Sequence, residues 1–246
     1  MLEVQIIIVV VLGSLIAATI SSVLGFGIGL AAGPILLIVL DPTTTVILLN
    51  TIGTGIALLI VIQTKDRLNS KEMFQISAAG LIGMPVGLYL LGIYSIEAGR
   101  IVILGLVILL SLILSVDRWI SLNIPKQLGP PLAFIVSALV VSSAIGGPLI
   151  ALYLMNRKRD VIEIRAGLAV FFLIVMGSSV AGYAISGLFT KDLMLLIGLS
   201  AIPVCIGFKT GVFLLRRIDY QRFRRVALIL IIVSSIFLII IERVQA

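Results

Sequence analysis

Ten apolar segments separated by short polar loops occupy almost all of this chain. They lie at about 4–24, 30–40, 43–62, 72–92, 98–116, 129–143, 147–155, 162–187, 192–215 and 222–241. Of the 246 residues, 61% are hydrophobic and 12% are charged, whereas about a quarter of the residues in a typical soluble domain are charged. A helix of about 20 apolar residues is long enough to cross a bilayer. The pattern therefore predicts an all-α integral membrane protein without a separate soluble domain.

The residue types disfavour several classes of function. The chain has no histidine and one cysteine, Cys205, so it lacks the commonest metal ligand and general base and cannot form an internal disulfide or a thiolate cluster. No nucleotide-binding motif and no pair of intramembrane aspartates occurs in it. We therefore expect neither an enzyme nor a bound metal or cofactor. The net charge of +7 resides mostly in loops, which predicts a lipid bilayer rather than a nucleic acid as the partner.

Two glycine-rich breaks interrupt the hydrophobic runs at corresponding places in the two halves. They are Gly25-Phe26-Gly27-Ile28-Gly29 and Ala144-Ile145-Gly146-Gly147-Pro148. The segments that follow them would be helices of about 16 and 14 Å, half of the roughly 30 Å hydrocarbon core. A helix that stops inside lipid leaves backbone polar groups unpaired unless they line a protein cavity. We therefore expect the two breaks to face each other near the midplane and to form a binding site.

The second five segments match the first five in order. Pro34 aligns with Pro148, Asp41 with Asp160, and the Gly-x-x-x-Gly at 83–87 with that at 207–211, where close helix packing is the expected role. We predict two repeats, 1–120 and 121–246, that form one membrane domain. The alternative is chance similarity between two hydrophobic halves. Because each repeat has an odd number of segments, the second repeat should be inverted with respect to the first.

The basic residues support this inversion and predict the orientation. The loop at 63–71 contains more Lys and Arg than its partner at 188–191, and the loop at 216–225 contains more than its partner at 93–100. The positive-inside rule assigns the richer loop of each pair to the cytoplasm. Both chain termini are then predicted to lie outside the cytoplasm.

The positions of the charged residues favour an anion as the ligand. All 11 acidic residues lie at or near segment ends, whereas a cation carrier or a proton relay usually has acidic residues deep in the membrane. Arg165 and Lys209 are the basic residues closest to an apolar interior, and either could neutralise an anion or simply anchor a helix end. Further polar candidates are Asn50, Thr51, Ser143 and Tyr153. The alternatives are a buried network residue for Asn50, close helix packing for Thr51 and Ser143, and an interfacial position for Tyr153.

Several of these motifs resemble the sulfite exporter TauE/SafE family. They are the first glycine break followed by Pro34, the run Ile145-Gly146-Gly147-Pro148-Leu149 with Tyr153, and Arg165-Ala166 at the start of the next helix. The resemblance covers nearly the whole chain. It implies secondary transport of sulfite, sulfonates or related organic anions across a prokaryotic inner membrane. It also implies a binding role for Gly27, Gly29, Pro34, Gly146, Gly147, Pro148 and Arg165.

The sequence thus predicts an anion transporter, working as an exporter by alternating access, for a small organic or sulfur oxyanion. An anion channel and an importer of other organic anions are the alternatives, and a homo-oligomer is among the assemblies left open. The predicted binding residues are Gly25, Gly27, Gly29, Pro34, Asn50, Thr51, Ser143, Gly146, Gly147, Pro148, Tyr153, Arg165 and Lys209.

Overall fold

The computed structural model describes residues 3–67, 70–115, 125–155 and 160–217, and all the regular structure within these ranges is helical. The α-helices are α1 (Val4–Leu24), α2 (Ile28–Leu36), α3 (Pro42–Thr64), α4 (Ser70–Ile93), α5 (Ile96–Ser115), α6 (Gly129–Ser143), α7 (Gly147–Met155), α8 (Val161–Ile185) and α9 (Lys191–Leu215). The predicted segment at 222–241 lies outside the described residues, as does most of the basic loop at 216–225.

The long helices have the length and composition of membrane spans. In the described part of the chain, α1, α3, α4, α8 and α9 are each long and apolar enough to cross a bilayer. Polar caps begin three of these helices: Asp41 accepts a hydrogen bond from the Thr44 N–H, Asp160 from the Glu163 N–H and Thr190 from the Leu193 N–H. Such caps satisfy N–H groups that have no partner within the helix. The protein is therefore an all-α, multi-pass membrane protein, as predicted.

Each glycine-rich break forms a tight reversal between two helices. Gly25, with φ of 80°, follows α1 and donates its N–H to the Ser21 carbonyl at 2.8 Å. Ala144, with φ of 58°, follows α6 and donates in the same way to the Val140 carbonyl at 2.8 Å. A left-handed residue after the last turn is a common way to end a helix. We call residues 4–36 the first hairpin and residues 129–155 the second hairpin.

The short helices correct one detail of the predicted repeat. α2 and α7 each have nine residues, and each begins inside its break, three residues after the left-handed residue that ends the preceding helix. Gly29 therefore corresponds to Pro148, and the alignment of Pro34 with Pro148 is wrong. Pro148 is the second residue of α7, where no N–H is needed for the helix. Pro34 lies inside α2 and deprives the Leu30 carbonyl of its usual partner.

Glycines allow α4 to pack closely on α6 and α9 to pack closely on α1. A β-carbon on Gly87 of α4 would lie 2.7 Å from the Ala138 carbonyl oxygen, and one on Gly211 of α9 would lie 2.5 Å from that of Thr19. One turn earlier, Gly83 lies against the Phe134 carbonyl and Gly207 against the Leu15 carbonyl. The packing role predicted for both Gly-x-x-x-Gly motifs is confirmed.

Candidate functional site

The tips of the two hairpins cross in direct contact. A β-carbon on Gly29, at the start of α2, would overlap the carbonyl of Ala144 in the opposite hairpin. A β-carbon on Gly147, at the start of α7, would lie only 2.8 Å from the β-carbon of Phe26. These distances are shorter than a van der Waals contact. The glycines are therefore needed so that the two breaks can approach each other, and the predicted meeting of the breaks is observed.

A cavity with an empty volume of about 440 Å³, its open mouth included, lies between the tips. Five predicted binding residues line it: Gly25, Gly27, Gly146, Gly147 and Pro148. Further lining residues are Ser21, Phe26, Ile28, Leu30, Gly53, Ile56, Ala57, Ile60, Val140, Ala144, Ile145, Phe172 and Met176. No carboxylate and no basic side chain is among these described lining residues, so the polar groups of the wall belong mainly to the backbone.

Two helix N-termini form part of the cavity wall. Gly27 is the N-cap residue of α2 and has no side chain that could accept a hydrogen bond from the first turn. The other helix, α7, begins at Gly147. The first turn of a helix has N–H groups without intrahelical partners and carries the positive end of the helix dipole. Two such ends on one small cavity favour a negatively charged ligand.

Arg165 supports the first break from behind the cavity wall. Its side chain is 2% exposed, its Nε donates to the Ser22 carbonyl at 2.6 Å, and its Nη2 donates to Oε1 of Gln63 at 2.8 Å. Ser22 belongs to the last turn of α1, where carbonyls lack helical partners and the dipole is negative. The Arg165 backbone also lies against Gly25. Arg165 therefore holds the hairpin tip and brings a positive charge next to the cavity without lining it.

Asn50 and Tyr183 hold the end of α6. Asn50 is fully buried, and its Nδ2 donates to the Val140 carbonyl at 2.9 Å and to the Tyr183 hydroxyl at 2.8 Å. That hydroxyl in turn donates to the Val141 carbonyl at 2.5 Å. The carbonyls at the end of α6 are thus held by neutral groups, whereas the equivalent turn of α1 is held by the Arg165 guanidinium. Of its two predicted roles, Asn50 has the position of a network residue.

The other predicted residues lie away from the cavity lining. The hydroxyls of Thr51 and Ser143 donate to the Ile47 and Leu139 carbonyls of their own helices, at 2.7 and 2.6 Å. Pro34 is buried in the later part of α2. The Tyr153 hydroxyl donates to Oε1 of Glu72 at 3.1 Å, near the end of α7. Lys209 is exposed on the outer surface of α9.

Sequence reasoning missed the apolar part of the wall that α3 and α8 contribute. Gly53 was the one available signal, because a glycine inside an apolar helix often marks a close approach. A β-carbon there would lie 2.8 Å from the Met176 sulfur. The remaining residues, Ile56, Ala57, Ile60 and Phe172, are ordinary residues of apolar helices, and their sequence does not indicate which side faces a cavity.

The fold and the cavity define a multi-pass helical membrane protein in which two hairpins with glycine-rich breaks meet at a cavity, an arrangement that is typical of broken-helix transporters. The profile of the sulfite exporter TauE/SafE family matches residues 10–238. The chain belongs to this family, whose members are membrane transporters of sulfite and related anions. The resemblance seen in the motifs is therefore confirmed. Neither the curated proteins nor the solved structures contained a match to the chain.

Proposed function

We propose that this protein is a secondary transporter that exports small sulfur-containing or related organic anions by alternating access. The observation that carries the proposal is the junction of the two hairpins, because both glycine breaks line one cavity. Breaking a helix inside the bilayer leaves backbone N–H and C=O groups unpaired, which is unfavourable in contact with lipid. In a cavity, a ligand can pair with these groups. The site is therefore a backbone site with little side-chain chemistry.

The charges around the cavity support an anion as the substrate. The described lining residues include no carboxylate, and the guanidinium of Arg165 is held behind Gly25 by the Ser22 carbonyl and Gln63. Export of an anion is favoured by a membrane potential that is negative inside, by about 2.3 kcal/mol per charge and 100 mV. This gradient suffices to drive export without a nucleotide.

Helix packing suggests which parts move in alternating access. The glycine contacts join α9, from the second half, to α1, and α4, from the first half, to α6. The two pairs of contacts are alike in their spacing, which supports the inverted repeat of 1–120 and 121–246. Contacts between backbones at such short range resist separation. We propose that each hairpin moves together with its glycine-packed partner helix, so that the contact between the hairpin tips is the one that opens and closes.

A thermal-shift panel on the purified protein tests the proposed substrate class. Sulfite, thiosulfate, methanesulfonate, benzenesulfonate and acetate, all as sodium salts, are compared with sodium chloride and with neutral solutes at matched ionic strength. A ligand that binds the folded state raises the midpoint of unfolding in a concentration-dependent way. We expect at least one of the anions to stabilise the protein. Stabilisation by neutral solutes alone, with none by any of the anions, would contradict the proposal.

A matched pair of variants tests the location of the site. A β-carbon on Gly147 already lies too close to Phe26 at the cavity wall, whereas a β-carbon on Gly105 of α5 has no atom of the described structure within 4 Å. Leucine at Gly147 should therefore obstruct the cavity, and leucine at Gly105 points into open space. The Gly147→Leu protein should lose both the anion-dependent stabilisation and the flux in proteoliposomes, and the Gly105→Leu protein should keep both. Unchanged flux in Gly147→Leu would exclude the cavity as the transport site. Single-channel currents in a planar bilayer would favour the channel alternative over a carrier.

A further inference from the structure

Ser21 provides the one polar side chain among the described residues that line the cavity. It is 4% exposed, and its Oγ has no hydrogen-bond partner in the described structure. Its neighbour Ser22 instead donates to the Ala18 carbonyl of its own helix at 2.5 Å, as hydroxyls within helices commonly do. An unpaired hydroxyl in a buried place is unfavourable. The Ser21 hydroxyl therefore has no competing partner in the described structure and is free to turn toward a molecule in the cavity.

Val140 occupies the equivalent place in the second hairpin. The carbonyl of Ser21 accepts the N–H of the left-handed residue Gly25, and the carbonyl of Val140 accepts that of the left-handed residue Ala144. Both residues line the cavity. Two matching positions of the wall thus differ in chemistry, because one carries a hydroxyl and the other carries only methyl groups.

These two positions lie toward opposite ends of the cavity. The first break lies against Arg165, which bonds to Gln63 near the end of α3, whereas the Val140 carbonyl bonds to Asn50 in the first half of that helix. Between them, the lining residues of α3 run from Gly53 to Ile60, about 10 Å along a helix axis. The cavity therefore has a polar end at Ser21, close to a buried cation, and an apolar end at Val140.

We propose that Ser21 donates a hydrogen bond to the anionic head group of the ligand, and that an apolar body of the same ligand lies toward Val140. The inference rests on the proposed function of the cavity. It makes Ser21 a specificity-determining residue and selects monoanions with an apolar substituent over compact dianions such as sulfate. A dianion needs hydrogen-bond donors on all sides, and the side chains of Phe26, Ile56 and Met176 in the wall offer none.

Binding of benzenesulfonate to purified protein in detergent, measured by calorimetry at constant sodium concentration, tests the role of Ser21. Loss of one hydrogen bond to a charged group should raise the Kd of Ser21→Ala about ten- to a hundredfold. Ser21→Thr keeps a hydroxyl and should stay within a few-fold of the wild type. The matched control is Ser22→Ala, which removes a hydroxyl from the same turn that already has its partner in α1, and its affinity should not change.

The opposite end of the cavity is tested with Val140→Thr, which adds a hydroxyl at nearly constant volume. It should weaken benzenesulfonate several-fold and change methanesulfonate little, because the smaller ligand does not reach that end. The wild type should bind benzenesulfonate more tightly than sulfate. The comparison of benzenesulfonate with sulfate needs no variant. It therefore tests whether the cavity prefers a ligand with an apolar body even if Ser21→Ala does not fold.

The outcomes separate this inference from the proposed function. If the wild type binds benzenesulfonate and Ser21→Ala binds it equally well, Ser21 does not contact the head group, although the cavity can still be the transport site. If sulfate binds more tightly than benzenesulfonate, the apolar end does not receive the ligand. If the wild type binds no anion at all, the proposed function fails, and this inference fails with it.

Discussion

The close contact between α4 and α6 makes a quantitative prediction about Gly87. A β-carbon there would lie 2.6 Å from the β-carbon of Val141 and 2.7 Å from the Ala138 carbonyl oxygen, about 1 Å less than the usual separation of such atoms. Neither neighbour is the end of a flexible side chain, so the helices must move apart. Overpacking of this kind costs about 1–3 kcal/mol, while alanine itself favours the helix by about 1 kcal/mol.

Comparison with Gly92→Ala separates the steric cost of Gly87→Ala from the change in helix propensity. Gly92 lies in the same helix, and a β-carbon added there would have no neighbouring atom within 4 Å, so its substitution brings only the gain in helix propensity. The two alanine variants should therefore differ in stability by the steric term alone, about 1–3 kcal/mol. For a chain of this size that difference corresponds to an unfolding midpoint on the order of 5 °C lower for Gly87→Ala.

The assay is thermal unfolding in one detergent at one scan rate, followed by circular dichroism of the helices. The pair Gly211→Ala and Gly198→Ala in α9 repeats the comparison on the other side of the protein, because Gly211 lies against Thr19 and Gly198 has no neighbour within 4 Å. We expect the same order and a similar difference. Equal midpoints for Gly87→Ala and Gly92→Ala would refute the conclusion that glycine contacts join these helices.

Three further predictions concern the hairpin ends and the orientation. Tyr183→Phe deprives the Val141 carbonyl and Asn50 of a partner and should cost about 1–2 kcal/mol of stability, while Tyr89→Phe at a 69% exposed position should unfold at the wild-type temperature. Arg165→Lys cannot reproduce both guanidinium bonds and should reduce flux in proteoliposomes nearly as much as Arg165→Met; full flux in the lysine variant would show that only the charge matters. A fluorescent reporter that matures only in the cytoplasm should be dark when fused after Ala246, and bright cells would overturn the predicted orientation.

The sequence predicted both ends of α1, α6 and α7 without error. The segments 129–143 and 147–155 have the same ends as α6 and α7, because Gly146, Gly147 and Pro148 interrupt the apolar run within a few residues. The second segment was less well placed, since 30–40 was predicted and α2 is Ile28–Leu36. Glycine and proline at several positions between 25 and 34 allow more than one start, which also explains the wrong alignment of Pro34 with Pro148.

The polar side chains of the site were harder to assign. Asn50 and Arg165 were recognised as unusual because an amide and a guanidinium are costly to bury, and both do hold the end of an interrupted helix. Thr51 and Ser143 satisfy their hydroxyls within their own helices. A serine or threonine can always do this, so the type of residue alone does not distinguish Ser21, which faces the cavity, from Ser143, which does not line it.

The sequence by itself determined the membrane class, the helical segments, the two breaks and the family, because hydropathy, glycine content and motif order are properties of neighbouring residues. Only the tertiary structure decided which faces of the helices line the cavity and how each hairpin end is held. Those features depend on residues far apart in the chain, such as Asn50 and Tyr183 or Arg165 and Ser22. In a segment that is apolar all round, the hydrophobic pattern does not mark one face, so packing between helices makes that choice.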